Sequence, residues 1–333
     1  MKELEAAWRW RLRNKILPLD AAHGAARVFH GRDEGAGALR DLTIDLFGAH
    51  AWVTWRLVRA DQAGAGAADG VGDGVLQRVS RFLSNKGVSS AVVLKRPKKG
   101  LPGEPTALFG APPSVAFAVR ENKMEFLVRM LGTRHPGLFL DHGPLRRLLS
   151  GAGPDAGPDA VELDGGDVLN CFSYTGALSV AARAGGARHV TSVDLSRPSN
   201  VWAAENWKLN GFEPDGADFV TGDALELLPS WRRKGRRFDC VIADPPSFAR
   251  GRKAVFSTRK NLSALAGMVF GLVAPGGMAV ISVNTEDMAQ REFDEAVRRG
   301  ARDAGTRIVG LVQLRAPETF GRGAHLKGVV ARV

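Results

Sequence analysis

The stretch DVLNCFSYTGALSVAARAGGARHVTSVDL (Asp167 to Leu195) decides the fold. DVLNCF reads as a strand, SYTG as a tight turn of small residues, ALSVAARAGG as a helix and HVTSVDL as a second strand. The same alternation continues toward the carboxyl terminus. ADFVTGD, FDCVIAD and GMAVISV are strand-like, separated by helical SNVWAAENWKLNG, ALELLPSWRRKG and RKNLSALAGMVFGLVAPGG. Strands and helices in this order give an α/β unit with a parallel sheet and helices on both faces. Ligands of such sheets gather at the carboxyl ends of the strands, so the residues ending each strand are the ones to read for chemistry.

The first of these strands turns directly into a helix at NCFSYTG (Asn170 to Gly176), where backbone N–H groups can approach a ligand closely. This is not the dinucleotide GxGxxG pattern, because Gly176 is the turn's only glycine. The second strand ends in Asp194, at a spacing from Gly176 that suits a carboxylate accepting hydrogen bonds from a ribose. Its bland reading is a helix N-cap, and the two roles are compatible. Asp223, ending the third strand, could accept from an adenine amino group or cap its helix, capping being the simpler role when the residue is taken alone. The fourth strand ends in DPPSF (Asp244 to Phe248). Two prolines make a rigid turn without donors and leave carbonyls and the Asp244 carboxylate to accept from a substrate. Phe248 can stack on a splayed base, an interaction of about 1 to 3 kcal/mol.

Outward from this core, 333 residues predict two domains, set here at 1–133 and 134–333. A composition 44% hydrophobic and 24% charged is that of an ordinary globular chain. No apolar run approaches the roughly 20 residues that span a bilayer. The start, MKELEAAWRWRLRNK, mixes charge with Trp, so a cytoplasmic location without a membrane partner is expected. Two cysteines, Cys171 and Cys240, offer neither a disulfide framework nor a CxxC metal pair.

The net charge of +11 is the footprint of a protein that meets phosphates, although biased composition alone could also produce it. Positive residues cluster in KRPKKG (Lys95 to Gly100), WRRKGRR (Trp231 to Arg237) and ARGRK (Ala249 to Lys253), and the last directly follows DPPSF. Charge and chemistry are therefore expected side by side. Lys95, Arg96, Lys98, Lys99, Arg232, Arg233, Arg250 and Arg252 are the expected phosphate contacts.

The amino-terminal part reads as a small α+β domain. ARVFH, LTIDLFG, AWVTWRLV and SAVVLKR are strands and GVLQRVSRFLSNKG is a helix, with Gly64 to Gly74 as a loop. VAFAVREN and KMEFLVRML form a hairpin around Glu121 and Asn122. GLFLDHGPLRRLLS (Gly137 to Ser150) is a loop running into a short helix, and GAGPDAGPDA (Gly151 to Ala160) an exposed connection.

Taken together, LNCFSYTGALSVAARAGGARHVTSVD, ENWKLNG, FDCVIADPPSF, LVAPGGMAVISVN and the preceding GLFLDH resemble the class I (Rossmann-like) S-adenosylmethionine (SAM) methyltransferases of bacterial large-subunit ribosomal RNA. The resemblance covers about the last 200 residues closely and implies SAM as cofactor and ribosomal RNA as partner. It implies cofactor contacts at Phe139, Asp141, Asn170, Phe172, Tyr174, Thr175, Gly176, Asp194, Leu195, Asp223, Ala224 and Asp244. It places Asp244, Pro245, Pro246 and Phe248 at the target base, with Asn284 on the base edge.

Three features depart from the family pattern. Gly143 follows His142 where the family has Arg, so that interaction is absent or passes to Arg146 or Arg147. Val283 stands where the cytosine-modifying relatives carry a Cys-containing motif. The sequence also starts without the small RNA-binding module of that branch, and so resembles most the guanine N7 branch.

Carbon 5 of a pyrimidine needs a thiolate adding at carbon 6, whereas guanine N7 brings its own lone pair and needs orientation alone. Both cysteines lie in strands or the cofactor turn, where a small buried hydrophobe is the bland role. The expected reaction is thus methylation of a ribosomal RNA base at a ring nitrogen such as guanine N7. The alternatives are cytosine C5, a DNA or small-molecule substrate, and a non-catalytic RNA-binding assembly factor.

Overall fold

β-branched and apolar runs bounded by glycine, proline and acidic residues become strands, and amphipathic stretches between them become helices. The computed structural model describes residues 1–17, 24–57, 68–97, 100, 102–151, 161, 163–250, 255–286, 288–321 and 325–333. They divide into two compact units, Met1–Leu140 with Pro317–Ala324, and Asp141–Ala316 with His325–Val333. The division falls a little after the boundary read from the sequence, and it returns a late segment to the first unit.

In the first unit, α1 (Lys2–Arg13), β1 (Ala25–His30), α2 (Gly31–Glu34), β2 (Leu42–Phe47), β3 (His50–Leu57), α3 (Ala68–Asn85), β4 (Ser90–Pro97) and β5 (Thr106–Phe109) build a five-stranded sheet in the order β1-β2-β3-β4-β5. β3 and β4 are parallel, joined by the α3 crossover, and the other pairs are antiparallel. Leu4 and Trp8 of α1 and Val79 and Leu83 of α3 share one apolar cluster with Phe29, Ile44 and Val53. Two sequence expectations are corrected here. Ala68–Gly74, taken as loop, is helical because α3 continues upstream of its buried Val75, Leu76 and Val79. In the hairpin of β6 (Phe117–Glu121) and β7 (Met124–Val128), Glu121 pairs with Met124, so the turn is Asn122-Lys123. Both turn residues have positive φ, 50° and 68°, as a two-residue hairpin turn requires.

The late segment is bound within this unit by specific contacts. The buried Arg11 guanidinium donates to the Thr319 carbonyl at 3.0 Å and pairs with Glu34 at 2.8 Å. Arg27 lies over the Phe320 ring, 3.9 Å from its centre.

The second unit contains α4 (Gly143–Leu149), β8 (Asp167–Cys171), α5 (Ala177–Ala184), β9 (His189–Asp194), α6 (Arg197–Leu209), β10 (Ala217–Thr221), α7 (Ala224–Arg233) and β11 (Phe238–Ala243). There follow the short pair β12 (Phe248–Arg250) and β13 (Val255–Ser257), then α8 (Thr258–Phe270), β14 (Val273–Asn284), α9 (Gln290–Asp303), β15 (Gly310–Leu314) and β16 (Leu326–Arg332). Seven strands form one sheet in the order β10-β9-β8-β11-β14-β16-β15. β8, β9, β10, β11 and β14 are parallel, while β16 runs antiparallel between β14 and β15. This is the parallel α/β sheet expected from the strand-helix alternation, in the Rossmann-like form that the resemblance implies. The last two strands, β15 and β16, were not legible in the sequence. The five parallel strand ends form one edge, and the turn after β8 lies where the crossovers reverse direction, the switch point at which such sheets bind ligands.

Candidate active site

The β8–α5 turn is shaped by backbone geometry that side-chain residues rarely adopt. Phe172, Tyr174 and Gly176 have φ of 59°, 47° and 72°. For the two aromatic residues this conformation is costly and persists only where the surroundings impose it. At Gly176 a β-carbon would meet the Ala203 β-carbon at 2.8 Å, so α6 packs against bare backbone. Hydrogen bonds hold the rest. The Ser173 N–H donates to the Val193 carbonyl at 3.0 Å, and Asn206 on α6 donates to the Thr175 carbonyl at 2.8 Å. The Tyr174 N–H donates to the Asp194 carboxylate at 2.9 Å. Asn206, in the ENWKLNG stretch, thus fastens the turn to the next helix, a role that sequence reading did not identify.

Asn170, expected at the cofactor, lies in β8 inside the sheet. Its side chain is fully buried and donates to Ser179 Oγ at 2.9 Å, which in turn meets Ser192 Oγ at 2.7 Å. It braces the turn from inside the sheet. Thr175 is also buried, and Phe172, Tyr174 and Gly176 make the turn's distinctive backbone.

Asp194 accepts from the N–H groups of Tyr174 and Ser196, at 2.9 and 2.8 Å, which spans the β8 and β9 ends with one carboxylate. The N-cap of α6 is Ser196, not Asp194, since the Ser196 hydroxyl accepts from the Ser199 N–H. Leu195 beside it is a large apolar side chain left 52% exposed. Asp223 caps α7 by accepting from the Leu225 N–H at 2.9 Å, and Ala224 next to it is buried.

Across β8 from Asp194 lies a cluster of acids around one histidine. Cys171 at the end of β8 pairs in register with Val193 on one side and Ala243 on the other, so Asp194 and Asp244 flank the turn. Two strand spacings separate them, about 10 Å. The His142 ring lies with Nδ1 3.2 Å from an Asp141 oxygen and Nε2 3.3 Å from an Asp244 oxygen. Ser282 on β14 donates to the other Asp244 oxygen at 2.7 Å, and Asn284 donates to Asp141 at 2.6 Å. Burial alone pushes the imidazolium down, but the Asp244 carboxylate, with hydrogen bonds to Asp141 and Asp244, overrides it and raises the pKa to about 10. The ring therefore carries both protons at neutral pH and donates from each nitrogen. Its place among the acids was hidden in the sequence, where His142 and Asp244 are far apart.

The DPP turn is less open than expected. Pro245 is buried and Pro246 exposed, but the Pro246 carbonyl accepts from the Thr258 hydroxyl at 3.0 Å, and the Ser247 carbonyl accepts from the Thr258 N–H. Those carbonyls are thus each engaged once at the start of α8. Phe248 begins β12, its backbone in register with Ser257. The exposed Asn284 also receives the Ser247 hydroxyl at its carbonyl, 2.8 Å. Phe139 belongs to the first unit, where its ring stacks on His135 with centres 3.9 Å apart. Arg146 is buried and Arg147 exposed on α4.

The expectation that charge and chemistry lie together is corrected in part. WRRKGRR runs from the end of α7 to β11, at the amino edge of the parallel sheet, opposite the acids. Lys98, Lys99, Arg252 and Lys253 lie outside the described residues, as does GPDAGPDA within Gly151 to Ala160.

The profile of the S-adenosylmethionine-dependent methyltransferases matches residues 26–324. The chain belongs to that family. Ribosomal RNA large subunit methyltransferase I of Aeromonas salmonicida is similar to this methyltransferase family member, 31% identical over 246 residues, which are 72% of this chain and 60% of the relative. The protein of that name from Aeromonas hydrophila is 32% identical over 247 residues. The chain spans about 60% of the length of these curated relatives. Among solved structures, SMU.776, assigned as a methyltransferase and solved in complex with SAH, superposes with a TM-score of 0.82 and 25% identity over the whole chain and 80% of that protein. These matches give no support to the placement nearest the guanine N7 branch.

The residues present fit the family's cofactor. The Ser173 hydroxyl is buried in the turn without a hydrogen-bond partner, a spare polar group beside the Asp194 carboxylate and the exposed Leu195. Among the described residues no group of His, Cys, Asp and Glu could hold a metal ion, and no helix is long and apolar enough to cross a membrane.

Proposed function

We propose that this protein transfers the methyl group of SAM to a base of large-subunit ribosomal RNA. The carrying observation is that the two flanking carboxylates, Asp194 and Asp244, stand on either side of the rigid β8–α5 turn. SAM supplies an electrophilic methyl on a sulfonium centre. In this reading Asp194 accepts from the ribose and Leu195 lies on the adenine, with Asp223 near it. Asp244, fixed by His142 and Ser282, accepts from a donor on the target base and sets its plane. Orientation of base against methyl then supplies most of the rate. The ribosomal substrate is supported by the names of the relatives and by the +11 charge.

Side-chain chemistry favours an acceptor with its own lone pair, a ring or exocyclic nitrogen, guanine N7 included. Cys171 and Cys240 are fully buried in strands and burial pushes both thiols up, Cys240 to about 12. Neither is placed to supply a thiolate. A second reading, cytosine carbon 5, is favoured over guanine N7 by the match to the large-subunit methyltransferase I relatives. One experiment separates them: methylation of ribosomal RNA by labelled SAM, followed by digestion to nucleosides and mass spectrometry. A labelled ring-nitrogen or amino-nitrogen product supports the first reading and 5-methylcytidine the second. No label in RNA refutes the substrate class.

A further inference from the structure

The helices α7, α8 and α9 follow β10, β11 and β14, leaving the carboxyl edge of the sheet and ending at its amino edge. Their carboxyl ends are contiguous. A β-carbon on Gly271, just past α8, would lie 2.9 Å from the Arg232 side chain of α7, and Gly300 of α9 packs on Ala266 and Gly267 of α8. At these ends Arg232, Arg233 and Arg237 on one side, and Arg298, Arg299 and Arg302 on the other, are all exposed. None of the six makes an ion pair among the described residues, although other surface arginines of the same unit do, such as Arg188 with Asp167 at 2.7 Å. Asp239 and Asp303 are the carboxylates on these same segments, with Asp294 and Glu295 one turn earlier on α9; Asp239 accepts from the Asp167 N–H, Asp294 from Gln290 and Gln313, and Glu295 from Arg291.

The ordinary reason for cations at helix ends is the macrodipole, about half a negative charge at each carboxyl end. One arginine per helix would meet that need. The surplus leaves a cationic strip across two helix spacings, about 16 to 20 Å. The six-residue β11 puts about 20 Å between this strip and Asp244 at the other edge.

We infer that the amino-edge strip is a second RNA contact, seating phosphates of the same substrate molecule at a distance from the base that is methylated. This rests on the reading of the protein as an RNA methyltransferase. Its consequence is a substrate that is large and folded: a strand long enough to present one base at Asp244 reaches the strip only if the RNA continues around the flank of the sheet. A short single strand carrying the target base is held at the carboxyl edge alone.

The test compares the wild-type chain with R232E/R233E/R237E and R298E/R299E/R302E, on a folded ribosomal RNA fragment of about a hundred nucleotides or more and on a short oligonucleotide bearing the same methylated base. Expected on the folded fragment is a KM raised about tenfold or more with kcat held, and a salt slope of log K shallower by about 0.7 to 0.9 for each phosphate that is no longer neutralised. On the oligonucleotide the variants should match the wild type, and SAM affinity by calorimetry should be unchanged in both. A wild type that methylates RNA with a steep salt slope which both variants retain overturns the second contact and leaves the function standing. Loss of binding confined to phosphatidylserine vesicles, with RNA binding intact, overturns it in favour of a membrane surface. Absence of any salt-dependent RNA binding by the wild type overturns the strip and the substrate class together.

Discussion

At the carboxyl edge of the parallel sheet every acid with a proposed task is already engaged: Asp244 by His142 and Ser282, Asp141 by His142 and Asn284, Asp194 by two backbone N–H groups. At the amino edge Arg232, Arg233, Arg298, Arg299 and Arg302 reach into solvent with no ion pair among the described residues. The contrast teaches how one fold divides its labour. Groups that must orient a reacting atom are fixed before the ligand arrives, because a loose group would lose orientation at the moment of reaction. Groups that attract a polyanion act through charge at range and tolerate motion.

Breaking the fixed edge should therefore cost most. Asp244→Ala should lower methyl transfer on the order of 10²-fold while SAM binding is largely preserved, since the carboxylate removed is the one proposed to position the base. Asp244→Asn, which keeps the shape beside His142, distinguishes lost chemistry from lost folding. Full activity in both would remove Asp244 from the site. Next in size is Asp194→Ala, which forfeits hydrogen bonds of a charged acceptor, each about 1.5 to 3 kcal/mol, and frees the Tyr174 and Ser196 N–H groups. Calorimetric SAM affinity should fall accordingly, and an unchanged affinity would contradict the ribose role.

A subtler probe of the same edge is pH. The folded pKa of His142, about 10, lies above its ordinary 6.5, so the folded state holds a proton that the unfolded chain releases earlier. Its contribution to stability is complete below about pH 6.5 and is lost as pH rises through about 10. Chemical denaturation at several pH values should show this decline in the wild type and a flatter profile in His142→Gln. The smallest effect is expected of the cysteines. Cys171→Ala and Cys240→Ala should keep most of the activity, with a packing loss of about 1 kcal/mol each. An adduct on 5-fluorocytosine-substituted RNA that disappears with either substitution would instead establish covalent carbon-5 chemistry.

The strand ends were legible because the signals are local: a run such as FDCVIAD carries its own buried periodicity and its own terminal acid. What was hidden depends on residues that are remote in the chain. Ser282 meets Asp244 only because β14 pairs with β11, and His142 meets both because α4 begins at that edge. Ala68–Gly74 was misread from composition, since glycine and alanine carry little information about a helix driven by its buried Val75, Leu76 and Val79. β15 and β16 escaped because GLVQL and LKGVVAR are separated by a segment of the other unit, and no turn signal joins them as a hairpin.

That interruption bears on how the protein is made. β16 is translated after the other strands of the described residues, yet its place is between β14 and β15, where Ser282 pairs in register with Gly328. Just before it, Thr319 and Phe320 must find Arg11 and Arg27 near the opposite end of the chain. The first unit therefore lacks its last acceptor until residue 319 is made, and the second its inner strand until synthesis has passed residue 332. Neither unit can be completed independently on the ribosome, and contacts of such long sequence separation are slow to form. Maturation of both units waits on the same late stretch of chain.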